Sequence, residues 1–357
     1  MNVDSEINDV RVMDDFKSIS FSKFKKNDVK KELLKSLLSG NIEPACNWSA
    51  ELICSGHFLE LWDTILVFVG KHIHLANPKL CIYIEMRYEN FKKCINIGYG
   101  DDLLYLRNNP KIRTIFAEVI CVLCNSNKKH SFQGIKVNKE EFDLMSMSHK
   151  LKAPSIQYIQ QVYKKEDPKE LFIPFNEFAY HISDDSNNIL QACYWLEWIM
   201  EFQNIMKQKK ECCICERREK MPVEDKYQMD PIWIIWDLLF YEVNYRNKNV
   251  TCKILKSILN LYCLKYSPGS KKRRRYLLYF GISLLTDKYD DKIEIMHDKD
   301  IIDTVIKKIN SVYKQIKKNE ITPPTDYLMK DINKNDINNT MKKLDLLNNI
   351  SIIKKDN

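Results

Sequence analysis

Apolar residues recur along this chain at intervals of three and four over most of its length, the spacing that lines one face of a helix. Leu33, Leu34, Leu37 and Leu38 form one stripe closed by Gly40, and Ala45, Trp48, Leu52 and Cys54 form the next, closed by Gly56. Glycine just past a stripe is a stop signal, because it enters the left-handed conformation without steric cost. The two stripes predict an antiparallel helix pair. A third helix is predicted from Phe58 through Leu61, Ile65, Phe68 and Val69. A fourth should start near Pro78, since proline in a first turn lacks only an N–H that would be unpaired there anyway. Another strong stripe spans Asn109–Cys124, with Ile112, Ile115, Phe116, Val119, Ile120 and Leu123.

Beyond it, Asn127–Pro154 is more polar, with one short helix expected at Lys139–Met145. The helical rhythm returns over Phe172–His181, Ile189–Met206, Pro231–Val243, Cys252–Tyr266, Tyr276–Thr286 and Ile301–Ile316. Thr322-Pro323-Pro324 then breaks the chain, leaving an Asn/Lys-rich tail with one weak helix near Met341–Leu347. The pattern holds no fixed-period repeat and no run of strands. It predicts an all-α, two-lobed protein: a disordered arm over residues 1–27, an N-terminal helical lobe over 28–126, a connector over 127–156, a basic helical lobe over 157–320 and an appended tail over 321–357.

Composition narrows the class. Hydrophobic residues make up 45% and charged ones 29%, so the chain can bury a core and stay dissolved. No run approaches the ~20 apolar residues of a membrane helix, and the first residues are acidic and polar where a secretion signal is basic and then apolar. An intracellular, non-membrane protein is the expectation. Cys54, Cys81, Cys94, Cys193 and Cys263 sit inside apolar stripes, where reduced cysteine packs as a small hydrophobe.

Catalytic signatures are missing. There is no phosphate-cradling GxxxxGK[ST], and Gly98-Tyr99-Gly100 lacks the third glycine and the strand-to-helix setting of a dinucleotide site. HExxH, Gly-x-Ser-x-Gly and an informatively spaced His/Cys pair are also absent, so a binding or assembly component is expected, not an enzyme. Two CxxC units occur, Cys121/Cys124 and Cys212/Cys215. The first lies in an apolar stripe, while Cys212 and Cys215 lie in a charged loop and are the better candidates for zinc; no other cofactor is indicated.

Charge is distributed unevenly. Between Ile205 and Phe280 there are 17 Lys or Arg against 8 Asp or Glu, a local excess slightly above the +8 of the whole chain. It peaks at Lys271, Lys272, Arg273, Arg274 and Arg275, after the Ser267-Pro268-Gly269 turn and at the predicted start of a helix. Cations oppose the macrodipole at a helix N-terminus, so propensity alone does not place them there, whereas phosphate would find donors and a positive field. A solvated face and a nuclear-import signal share this composition. Glu197 and Asp237, acids within apolar stripes, are expected to pair with arginine in a structural network. Trp195, Trp198, Trp233 and Trp236, at helical spacing, are expected in the core and not as a stacking platform.

Several short stretches resemble an uncharacterised protein family of giant nucleocytoplasmic large DNA viruses: Cys54-Ser55-Gly56-His57-Phe58, Lys71-His72-Ile73-His74-Leu75-Ala76-Asn77-Pro78-Lys79-Leu80, Lys128-Lys129-His130-Ser131-Phe132, Leu151-Lys152-Ala153-Pro154, Asp167-Pro168-Lys169-Glu170-Leu171-Phe172 and Lys272-Arg273-Arg274-Arg275-Tyr276. That resemblance implies an infected eukaryotic cell, a cytoplasmic viral factory or the nucleus, packaging in the virion as one option, other viral proteins as partners, and a role in replication, expression or particle assembly. Over residues 31–124, Leu33–Ser39, Ala45–Trp48, Gly56 and Leu75-Ala76-Asn77-Pro78 are similar in order to the C-terminal helical collar of RarA-type AAA+ proteins, relatives of clamp loaders. The ATPase half is lacking, so this second resemblance implies only self-association or docking to a replication assembly. Together the expectations are a homo-oligomeric viral helical factor that contacts nucleic acid, with a virion or scaffold protein and a zinc-supported enzyme as rivals.

Overall fold

A computed structural model describes residues 3–96, 102–142, 147–295 and 298–321, and among these the chain is all-helical, with 13 helices and no strand beyond one isolated bridge between Ile19 and Lys25. Gly98-Tyr99-Gly100, the segment from Thr322 on and the helix expected at 341–347 lie outside the described residues. The first six helices are α1 (Lys26–Ser39), α2 (Ile42–Cys54), α3 (Phe58–Phe68), α4 (Leu80–Ile95), α5 (Leu103–Asn108) and α6 (Pro110–Asn125). Seven follow: α7 (Phe172–Ile182), α8 (Ile189–Gln208), α9 (Ile232–Tyr245), α10 (Asn249–Tyr262), α11 (Pro268–Arg273), α12 (Arg275–Thr286) and α13 (Lys299–Lys317).

The predicted pair α1 and α2 forms because its stop signal works as expected. Gly40 is left-handed at φ 71°, which lets its own N–H reach Leu37 and the next N–H reach Ser36, satisfying carbonyls the helix end leaves open. At the start of α6, the Asn109 side chain accepts from the N–H groups of Lys111 and Ile112, and Pro110 occupies the first turn. Between α3 and α4 the helix widens into a π-type turn over Val69–Ile73, and His74 follows at φ 48°. That turn brings Gly70 against the backbone of α12, where an added Cβ would lie 3.0 Å from the Leu277 nitrogen.

Two expectations are corrected. The arm over 1–27 is packed: Ile7, Phe16 and Phe21 are fully buried, and Arg11 places its guanidinium 4.7 Å from the centroids of both phenyl rings. Ser20 Oγ and the Ser22 N–H donate to Glu51 of α2, and Asn108 exchanges two bonds with the Ile7 backbone. These apolar residues follow no helical or strand period, which is why the segment looks mobile to a periodicity argument. The helix α13, grouped with the second lobe, packs on α2 and α6, burying Ile302, Ile309, Tyr313 and Ile316 there, with Arg113 stacked 3.9 Å from the Tyr313 ring centroid. Of the short helix expected over 139–145, residues 139–142 form a 3-10 turn, and the rest lies outside the described residues.

The core runs without interruption through both halves. α10 packs along α4, and α12 meets the π-type turn and α3. Trp195, Trp198, Trp233 and Trp236 are all buried, as core residues and not as an exposed platform. The acids expected in a structural network are found in one: Asp237 accepts from Arg218 (2.9 Å), which also grips the buried Asp167 through two nitrogens, and Glu197 meets Arg275 at 3.2 Å. No helix among the described residues is long and apolar enough to cross a membrane.

Candidate functional site

The five consecutive cations 271–275 do not sit together at one helix N-terminus, as expected from the sequence. Ser267 caps α11, its hydroxyl accepting from the Ser270 N–H, and this six-residue helix ends at Arg273. Lys271, Lys272 and Arg273 therefore form a C-terminal turn, where positive charge is favoured, and only Arg275 opens α12.

Each side chain then goes its own way. Lys271 Nζ lies 2.8 Å from Asp230 Oδ2 and 3.0 Å from Gln203 Oε1. Asp230 also accepts from the Tyr266 hydroxyl at 2.9 Å. Burial pulls its carboxyl upward, but the Lys271 ammonium and the bonds from the Ile232 N–H and the Gln203 side chain hold it below its ordinary pKa. Arg274 is buried, donating to the Tyr262 and Leu264 carbonyls at the end of α10 and twice to Asp63 of α3. Its charge meets the negative end of α10 and a carboxylate together. Arg275 donates to Glu197, whose other oxygen takes the Tyr279 hydroxyl at 2.7 Å; burial raises the Glu197 carboxyl despite both.

That leaves Lys272 and Arg273. Lys272 is exposed, and Arg273, 58% exposed at its side chain, reaches Asp63 at 3.2 Å. Two guanidinium groups thus share one carboxylate. Beside them a crevice of about 300 Å³ opens between α3, Tyr88 of α4 and the α10–α11 loop, lined among others by Glu60, Trp62, Asp63, Lys265, Arg273 and Arg274. Nearby on α1, Lys30 has its ammonium pKa lowered by burial and by the Lys26 and Arg273 charges, against the pull of Glu60 and Asp63. Lys26 is engaged with Glu60 at 3.1 Å.

The structure thus brings Arg273 and Arg274 to one carboxylate and sends Lys271 and Arg275 elsewhere. Asp63, Lys30 and Lys265 were missed by sequence reasoning. Asp63 was open to the argument that singled out Glu197, being an acid inside the apolar stripe of α3, but nothing local names a partner 211 residues away.

The candidate zinc cysteines have different surroundings. Cys212 is exposed, whereas Cys215 is buried with its thiol on the Asp230 carbonyl at 3.4 Å, and burial pushes that thiol up to about 12. Among the described residues no group of three or more His, Cys, Asp or Glu side chains is gathered for a metal. Cys121 and Cys124 are buried in α6. Comparison of the chain with models of known protein families, with curated proteins and with solved structures gives no match.

Proposed function

We propose that this chain is a helical, non-enzymatic factor that contacts nucleic acid through the exposed edge of the 271–275 segment. The contact residues are Lys272 and Arg273, with Lys265 and Lys30 beside them, while Lys271, Arg274 and Arg275 hold the segment in place. One observation carries the reading: Asp63 is shared by two arginines, so the seam between α3 and α11 keeps unneutralised positive charge at an exposed surface. A phosphodiester backbone is the commonest polyanion such a surface meets, and its recognition by lysine and arginine needs no base-specific geometry. The viral resemblance of the short sequence stretches gives this reading its setting, an accessory of viral DNA replication or expression.

The test is fluorescence anisotropy of labelled single-stranded and duplex DNA across a salt series, with the intact chain and with Lys272→Ser/Arg273→Ser. Support is an affinity that falls linearly in log salt, with a slope shallower by about two phosphate contacts in the variant. Absence of binding at low salt ends this reading.

A second reading, assembly through protein contacts, has its own observation. A groove of about 460 Å³ between α7 and α9 is lined by Asp184, Asp185, Tyr158, Tyr241 and Tyr245, and Tyr245 is 72% exposed. Acids beside open tyrosine faces suit a lysine- or arginine-rich partner segment. Binding of a polylysine peptide that Tyr245→Ala abolishes, in a chain that ignores DNA, would favour it.

A further inference from the structure

The helix α8 carries opposite charge at its two ends, and both ends are open to solvent. Its last turn bears Lys207, Lys209 and Lys210, all exposed, and among the described residues none of the three has a carboxylate partner. Glu211, next along the chain, is the only acid in the turn's own sequence. This end has a defined shape. Lys210 is left-handed at φ 61°, and the N–H groups of Lys210 and Glu211 donate back to the Lys207 and Met206 carbonyls, so the lysines project from a closed turn.

At the other end, Asp184 and Asp185 precede Asn188, whose side chain caps α8 by accepting from the Gln191 N–H. The two acids line the groove between α7 and α9, together with Glu242 and the rings of Tyr158, Tyr241 and Tyr245. Tyr158 donates to Asp185 at 2.8 Å. Arg246 bridges Asp184 and Glu242, at 2.9 and 2.7 Å, so three carboxylates meet one guanidinium and the groove keeps negative charge. The helix dipole accounts for acids ahead of α8 and lysines at its end. It does not account for Tyr245, 72% exposed, or Tyr241, 37% exposed, whose rings stand open beside the acids. A lysine ammonium is attracted to carboxylates and ring faces alike.

Turn and groove do not meet within one chain. α8 has 20 residues, which at a rise of about 1.5 Å each separates its ends by about 30 Å. Its middle is held in the core by Trp195, Trp198 and Ile199.

We propose that the groove between α7 and α9 receives the 207–210 turn of a second copy of this chain, with lysine ammonium groups meeting Asp184, Asp185 and the open face of Tyr245. The proposal rests on the assembly reading and supplies its partner. Charge selects the occupant: the groove is acidic, and the turn is cationic surface that no acid of its own chain has claimed, in contrast to Arg273 at Asp63. Because turn and groove are different surfaces, the contact is head-to-tail, and each pair leaves one free turn and one free groove for further copies.

The experiment is sedimentation velocity of the full-length, nuclease-treated protein over a concentration series at low and high salt. Two variants accompany it, Asp185→Asn/Tyr245→Ala in the groove and Lys207→Gln/Lys209→Gln/Lys210→Gln in the turn, all at exposed positions. Circular dichroism checks that both remain helical. The wild-type chain should grow past a dimer with concentration and come apart in salt, and each variant should associate at least about 10-fold more weakly. An equimolar mixture of the two variants should give dimers and nothing larger, since one still offers a turn and the other still offers a groove. A wild-type chain that stays monomeric at low salt, association that only one variant or neither weakens, or a mixture that stays monomeric overturns the proposal. Polylysine separates it from the reading beneath. Polylysine bound by the wild type and not by Tyr245→Ala, without self-association, removes the second copy as partner and keeps the assembly reading, whereas binding of neither removes both.

Discussion

Arg274 and Asp63 stand 211 residues apart in sequence and are joined by two hydrogen bonds, Nε and Nη2 of the one donating to Oδ1 of the other. The pair connects α3 to the junction of α11 and α12. It turns a segment that reads as a surface patch into part of the interior.

Neighbouring arginines should therefore differ sharply in cost. Arg274→Ala leaves the Tyr262 and Leu264 carbonyls and Asp63 without their donor, and should lower unfolding free energy by about 2–3 kcal/mol, the penalty of stranded buried acceptors. Arg273→Ala, at an exposed site, should stay within about 0.5 kcal/mol. Urea denaturation midpoints compare the two, and equal effects would contradict the placement of Arg274.

The N-terminal segment should behave as core. Phe21→Ala is expected to cost about 3–5 kcal/mol, as for other buried phenylalanines. A mobile arm would show no change, and hydrogen exchange at Ile7 and Ser22, whose N–H groups donate to Asn108 and Glu51, should be slow for the same reason.

Acid should weaken the fold through the His72–His130 contact. The two Nδ1 atoms lie 2.8 Å apart, and burial, then the His130 and Lys71 charges, push His72 down to about 4. A histidine depressed in the folded state binds its proton more readily when unfolded. Its contribution to stability is therefore complete above the ordinary value near 6.5 and is lost as pH falls from there towards 4. Histidine NMR titration should place the His72 midpoint below 5. The drop in denaturation midpoint between pH 7 and 4.5 should be smaller in His72→Gln, and an unchanged drop would remove this contact as a cause.

The cysteines of the 212–215 loop should part in reactivity. Cys212 is exposed and should alkylate quickly in the native state, while Cys215, buried and pushed up to about 12, should react only after unfolding. Mass-resolved labelling at pH 7.5 distinguishes them. Joint protection of both thiols by added zinc would instead favour the metal reading of the loop.

Helical stripes were legible because burial in helices leaves a three-to-four-residue signature. Asn109–Cys124 was read from Ile112, Phe116 and Ile120 and is found as Pro110–Asn125, capped by the asparagine just ahead of it. The tryptophans declared their burial by the same spacing. The packed segment before Lys26 gave no such signature, since Ile7, Phe16 and Phe21 are buried singly, in short turns and irregular chain. The basic run misled because charge along a chain says nothing of which acids will face it. Asp63, Asp230 and Glu197 come from three other helices or loops, and one-dimensional reading cannot assign a cation to a partner that only folding delivers.

The position of α13 has a consequence for synthesis. The groove it fills is made by α2 and α6, which leave the ribosome long before Lys299 does. While the intervening residues are translated, the greasy floor under Ile302, Ile309 and Tyr313 stays open, and nothing made so far can close it. Closing that groove is therefore a late, long-range step of folding, and apolar surface stays open there until α13 has been made.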